Sequence, residues 1–380
     1  SILTLDSLNY ISGFLKIYNN DLLGELTLIS LTGVGGDVHL SDNDRLHTIS
    51  MNAVDTINGQ LLILQDELLE ILDLPTLSLL NGNIQIQNSG FDLAINLSSL
   101  QNLSGSLQIR DNDLSSLLLS ALRSVDQTIV FYENSTISDL SLSSLENIGS
   151  SLVLHSNPAI HTLDLARLEQ IGGALNIYNN PLLEALDLDS LLSINGTFNV
   201  YNNANIQTLS SDYLTSINGN LDLHNNDLLT DASFAQLTTI QGGLYIYDHS
   251  LLSSTTLPQL QQAILIKIYT NTSMNEVLLP SLHTLTSLCF IYTNADLTDI
   301  NLNELSIVGG EFNIRANNQL TNIEIDSLSE IGGNLTLRDI DASVRLPLLT
   351  QIGGSLTLEQ NTFTLLYTPL LSLMNGTIAV

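Results

Sequence analysis

Two aspartates are the first residues whose type and spacing could do chemistry. Asp164 and Asp187 fall at the same outward phase of a repeat, and stacked strands would set their carboxyls about 5 Å apart, the separation retaining glycosidases use for acid and nucleophile. No third acid or oriented base accompanies the pair. In a repeat whose outward position is often Asp, one such pair arises by stacking alone, so it reads as solvated surface and no catalytic residue is assigned. The histidines, at 39, 47, 155, 161, 224, 249 and 283, sit in different phases beside no repeated carboxylate or cysteine. A metal site needs convergent ligands, so none is expected. No phosphate loop, zinc motif, EF-hand or serine-nucleophile elbow occurs, and no cofactor is implied. The single cysteine, Cys289, falls at an inward position and reads as a small core hydrophobe.

A more ordered set of side chains recurs at one phase over eight successive repeats: Tyr132, His155, Tyr178, Tyr201, His224, Tyr247, Tyr269 and Tyr292. With Tyr18, seven of the eleven tyrosines occupy this phase, and Arg110, Arg315 and Arg338 share it. Rings stacked at the coil spacing would form an aromatic ladder, each pair adding about 0.5–1.5 kcal/mol. The same column would offer a flat polar-aromatic face for protein or glycan contact, because Tyr brings rigid area with a hydrogen-bonding tip. The adjacent outward column holds Val130, Val153, Asn176, Asn199, Asp222, Tyr245, Lys267 and Phe290, so the surroundings of the stripe are partly apolar, as contact surfaces are.

What positions these columns is a repeat. A landmark before each Leu-x-Ile unit recurs at 13, 36, 59, 82, 105, 127, 150, 173, 196, 219, 242, 264, 287, 310, 333, 354 and 376, spaced by 21 to 23 residues; thirteen of the seventeen are Gly. Glycine so placed answers either a positive φ or a close approach to a neighbouring coil. In residues 173–195, GALNIYNNPLLEALDLDSLLSIN, Leu175 and Ile177 alternate as a short strand, Asn180 turns the chain, and Leu183, Leu186, Leu188, Leu191 and Ile194 follow. Spacings of two and three mean short strands and bends. A single coil of this kind cannot bury its apolar side, whereas stacked coils build parallel sheets around a continuous core. Seven residues after the landmark, Asn recurs at 20, 43, 112, 134, 157, 180, 203, 226, 271, 294, 317 and 361, where its amide can bond the turns above and below. The expected fold is all-β: one continuous repeat domain over 1–380, a leucine-rich parallel β-solenoid of about sixteen 21–23-residue coils.

The pattern Leu-x-x-Leu-x-Leu-x-x-Leu-x-x-Ile-x-Gly-x-Leu-x-Ile-x-x-Asn resembles the receptor L-domain class of leucine-rich repeat over essentially the whole chain. That class occurs in growth-factor receptor ectodomains and in glycolipid-anchored fungal cell-wall proteins, so the resemblance implies an extracellular or cell-surface location and a role in structure, adhesion or ligand binding. Receptor L domains are short, with disulfide-stabilised flanks; here about sixteen coils run without a cysteine pair.

Nine basic residues against 39 acidic ones give a net charge of −30, which repels phosphate backbones and anionic head groups and argues against nucleic acid as a partner. No apolar run is long enough for a membrane span. Asn-x-Ser/Thr sequons fall at Asn96, Asn102, Asn134, Asn195, Asn271, Asn334 and Asn375; Asn134 and Asn271 belong to the asparagine column, so Asn195 and Asn375, beside the landmark Gly, are the better glycosylation candidates. Repeat-quality sequence runs from Ser1 to Val380 without recognisable polar caps, which leads to two expectations, a segment of a longer protein or self-association through solenoid ends into filaments. The expected function is a noncatalytic extracellular or cell-surface structural or adhesive repeat protein. A receptor-type ligand- or glycan-binding ectodomain is the alternative, and a polysaccharide-active enzyme a remote one.

Overall fold

The computed structural model describes every residue except 91, 363 and 364. The chain forms an all-strand parallel β-solenoid of about sixteen turns of roughly 23 residues, with no helix among the described residues. No helix is therefore long and apolar enough to cross a membrane. Its internal contacts group into two compact units, residues 1–184 and 185–380.

In the first unit each turn contributes a four-residue strand to one parallel sheet, from Leu15–Tyr18 through Leu152–His155 to Leu175–Tyr178. A second sheet is made of two-residue strands such as Asn147–Ile148 and Gln170–Ile171, and the remaining strands form smaller sheets, one holding Ile71–Asp73 and another Thr162–Asp164. Registers hold residue for residue from turn to turn: Leu152 pairs with Leu175 and His155 with Tyr178. The register shifts between Leu93 and Ala94, just after positive-φ backbone at Asn88, Gly90 and Asp92. The second unit repeats the plan, with four- and five-residue strands from Phe198–Tyr201 through Leu265–Tyr269 to Leu356–Glu359 on the long-strand sheet.

The alternation of the sequence becomes the inside and outside of the coil. Leu152, Leu154, Ile160, Leu163, Leu165, Leu168 and Ile171 of one turn are all buried, as are Leu221, Leu223, Leu229, Ala232, Phe234, Leu237 and Ile240 of a turn in the second unit. Burying each Leu or Ile is worth about 1.5–3 kcal/mol, and stacking repeats the gain in every coil. Phe198 and Phe234 meet edge to face at 5.5 Å within the second unit's core.

Of the two reasons for the landmark glycines, close approach is the one realised, except at Gly13, where nothing lies within 4 Å of an added Cβ. A Cβ on Gly82 would lie 2.8 Å from Gly59's carbonyl carbon, and one on Gly219 2.8 Å from Gly196's, neither glycine having positive φ. The left-handed backbone lies instead six residues after the landmark, at Asn19, Asp42, Asn88, Glu133, Asn225, Thr270, Thr293 and Ala316 among others, with φ between 49° and 60°. Non-glycine residues bear roughly 1–2 kcal/mol of strain in that conformation, so the turn must be held by other bonds.

Those bonds come from the asparagine column. Asn157 is fully buried; its Oδ1 accepts from the backbone N–H of Asn134 at 3.1 Å and from Asn134 Nδ2 at 3.2 Å. Its own Nδ2 donates to the carbonyl of Phe131 in the preceding coil at 3.1 Å, to His155 O at 2.9 Å and to Asn180 Oδ1 at 3.2 Å. Asn271 and Asn294 repeat the pattern in the second unit. One amide thus satisfies donors and acceptors in three coils, which a buried backbone requires.

Candidate interaction face

The long-strand sheet turns every second side chain outward, and the register brings the ring-bearing positions into line. In the first unit Tyr132, His155 and Tyr178 stack with centroids 4.8 and 4.6 Å apart and planes within 8° of parallel. In the second, Tyr201, His224, Tyr247, Tyr269 and Tyr292 stack at 4.5, 4.5, 4.6 and 4.7 Å. All eight rings are half-buried. The spacing is that of hydrogen-bonded strands, so the ladder follows from placing rings at one phase of a solenoid. Within each stack the ring faces cover one another, so the open part of these half-buried rings is edge rather than face.

Arginines shared by the same column cover outer ring faces. The Arg110 guanidinium lies 5.5 Å from the centroid of Tyr132 and also donates to its hydroxyl; Arg315 lies 4.8 Å from the centroid of Tyr292. Each is a cation–π contact. Beside the second stack, Lys267 Nζ stands 5.9 Å from the centroids of both Tyr245 and Phe290, which puts a cation among the apolar residues of the adjacent column.

The two histidines in the stacks have different surroundings. His155 Nδ1 lies 3.2 Å from Ser156 Oγ, and burial lowers its pKa, favouring the neutral ring. His224 Nδ1 lies 2.9 Å from Asp222 Oδ1 on its own strand. Burial, joined by the nearby Asp222 carboxylate, pushes the phenols of Tyr247 and Tyr269 up to about 12, so both hydroxyls remain donors at any physiological pH.

Asp164 and Asp187 are engaged in their own turns: Asp164 Oδ1 accepts from the N–H of Ala166 at 3.1 Å, and Asp187 Oδ1 from the N–H of Asp189 at 3.0 Å. These are Asx turns. Among the described residues no group of three His, Cys, Asp or Glu is placed to hold a metal ion. Cys289 is fully buried, and burial pushes its thiol well above the usual range, as an inert core residue requires. Of the sequons, Asn134 and Asn271 are buried in the ladder, while Asn195 and Asn375 are exposed; Asn195 Oδ1 accepts from Asn218 Nδ2 at 3.1 Å.

Two residues of chemical interest escaped the sequence reading because they stand where the asparagine column is broken. Asp66 and His249 occupy ladder positions and are fully buried. His249 Nδ1 donates to Asn226 O at 3.1 Å, and burial lowers its pKa. Asp66 Oδ1 accepts from Asn43 N at 2.8 Å and Asn43 Nδ2 at 3.1 Å. The signal that finds them is a titratable residue at a position otherwise reserved for an amide.

No protein-family model matches the chain, and no curated protein matches it.

Proposed function

We propose that the chain is a noncatalytic extracellular or cell-surface repeat protein whose stacked Tyr/His columns make adhesive or scaffolding contacts with other proteins. The observation that carries this reading is the pair of ring stacks at 4.5–4.8 Å spacing with half-buried rings. Sugar rings dock on aromatic faces, and within each stack neighbouring rings occupy those faces, with Arg110 over Tyr132 and Arg315 over Tyr292. What is left outward is a row of ring edges at the strand repeat, which suits a polypeptide surface better than a saccharide. The resemblance to receptor L domains supports the extracellular setting, and the Asx-turn roles of Asp164 and Asp187 support a noncatalytic one. In this setting the exposed Asn195 and Asn375 serve as glycan attachment points.

The test is adhesion of beads coated with the chain to protein-coated and polysaccharide-coated surfaces. Replacing both Tyr247 and Tyr269 with Ser is expected to abolish adhesion to protein with a modest fall in Tm. Adhesion that survives while Tm falls would make the ladder purely structural, and adhesion to polysaccharide alone would replace the protein partner with a glycan.

A further inference from the structure

We propose that Asp66 is built into the fold as a neutral carboxylic acid standing in for a ladder amide, and that ionising it loosens the turns on either side of it, making this part of the first unit tighter in mildly acidic surroundings.

The argument starts from what the position demands. In the asparagine-bearing coils the second side-chain atom is a donor: Asn43 Nδ2 reaches Ile17 O at 3.2 Å, and Asn112 Nδ2 reaches Ile86 O at 3.1 Å, each 26 residues upstream. In the coil that follows Asp66, Ser89 does the same with its hydroxyl, donating to Ile63 O at 3.3 Å. The 26-residue offset assigns Leu40's carbonyl to Asp66. One carboxyl oxygen of Asp66 reproduces the amide oxygen, accepting both donors of Asn43 at 2.8 and 3.1 Å. The other, Oδ2, is buried without a hydrogen-bond partner, in the place where Asn43, Ser89 and Asn112 offer a proton. As a carboxylate it would set negative charge against a carbonyl column; as an acid its O–H supplies the missing donor.

The surroundings agree. The preceding turn presents Asp42 and Asp44 on either side of Asn43, and Glu67 adjoins Asp66 in its own turn. The following turn, Asn88, Ser89 and Gly90, brings no charge, and the inward neighbours Leu40, Ile63 and Ile86 are apolar. Burial first, then Asp42 and Asp44, raise Asp66 from 3.8 to about 6 against the lowering effect of Asn43's two hydrogen bonds. The sign follows: with the folded value above the unfolded one, this contribution to stability is fully present below about 4 and is lost as pH rises through about 6.

The test is native-state hydrogen exchange of the full chain at pH 5 and pH 8, reading the amide of Asn43, whose N–H donates to Asp66 Oδ1. After correction for intrinsic exchange, its protection is expected to fall by about tenfold or more between the two pH values in the wild type. In Asp66→Asn it is expected to stay constant. Asp66→Ser, which copies Ser89 in the next coil, gives the same readout if Asp66→Asn fails to fold. Equal wild-type protection at both pH values would overturn the proposal, as would a pH-dependent loss that persists in the variants.

Discussion

The two units solve the same problem at the turn of the coil and differ in how they depart from it. In the first, the ladder runs through Asn20, Asn43, Asp66, Ser89, Asn112, Asn134, Asn157 and Asn180; in the second, Asn203, Asn226, His249, Asn271, Asn294, Asn317, Ile340 and Asn361 occupy it. At this position each unit therefore admits one buried titratable residue, an acid in one and a base in the other. Both groups gain charge by opposite pH changes, Asp66 on raising pH and His249 on lowering it. The comparison teaches that the slot selects for neutrality, met most often by an amide that also bonds the backbone and at Ile340 by an apolar side chain alone. It also gives the units pH responses of opposite sign from a single structural position.

The largest effect is expected where the ladder is intact in both units. Asn157→Ala and Asn294→Ala each leave buried donors and acceptors unpaired, at about 1–3 kcal/mol for each orphaned group. Each should lower Tm steeply or prevent folding of its unit, while an effect below about 1 kcal/mol in chemical denaturation would contradict the ladder's role. Next comes the pH comparison. Asp66→Asn should stabilise the first unit by up to about 3 kcal/mol at pH 8 and by almost nothing at pH 4. His249→Asn should run the other way, because burial lowers the histidine's pKa. The wild type loses that contribution as pH falls below the unfolded value, so the variant's advantage appears in acid and vanishes at pH 8. Denaturation curves at the two pH values, read separately for each unit, check both signs. The smallest effects belong to the stack ends and the strained turns. Arg315→Ala should cost about 0.5–1 kcal/mol through the lost contact with Tyr292, and Ala316→Asn, at φ 51°, should gain a few tenths.

Much of this was legible in the sequence, for a physical reason. A period near 23 residues repeats every inward position, so the buried Leu and Ile, the asparagine column and the line of Tyr132 to Tyr292 announce themselves by phase. The handling of the glycines was legible only as a choice between two causes, because sequence cannot tell a crowded Cβ from a positive φ; Gly82 and Gly219 are crowded, and the left-handed turn passes to residues as unsuited as Thr270 and Ala316. Asp66 and His249 were missed because a periodic reading attends to what recurs, and their meaning lies in interruption. The stacking of the rings was legible from their shared phase, whereas the arginines that lie over Tyr132 and Tyr292 were legible only as members of the same column.

The measurement that tests the central claim most directly separates stacking from display. Replacing Tyr201, Tyr247, Tyr269 and Tyr292 together with Phe keeps the rings and removes the hydroxyl edge. The account predicts an almost unchanged Tm with adhesion to protein surfaces reduced at least about tenfold, the loss of roughly 1.4 kcal/mol of contact energy. Adhesion at the wild-type level with the hydroxyls gone would contradict it.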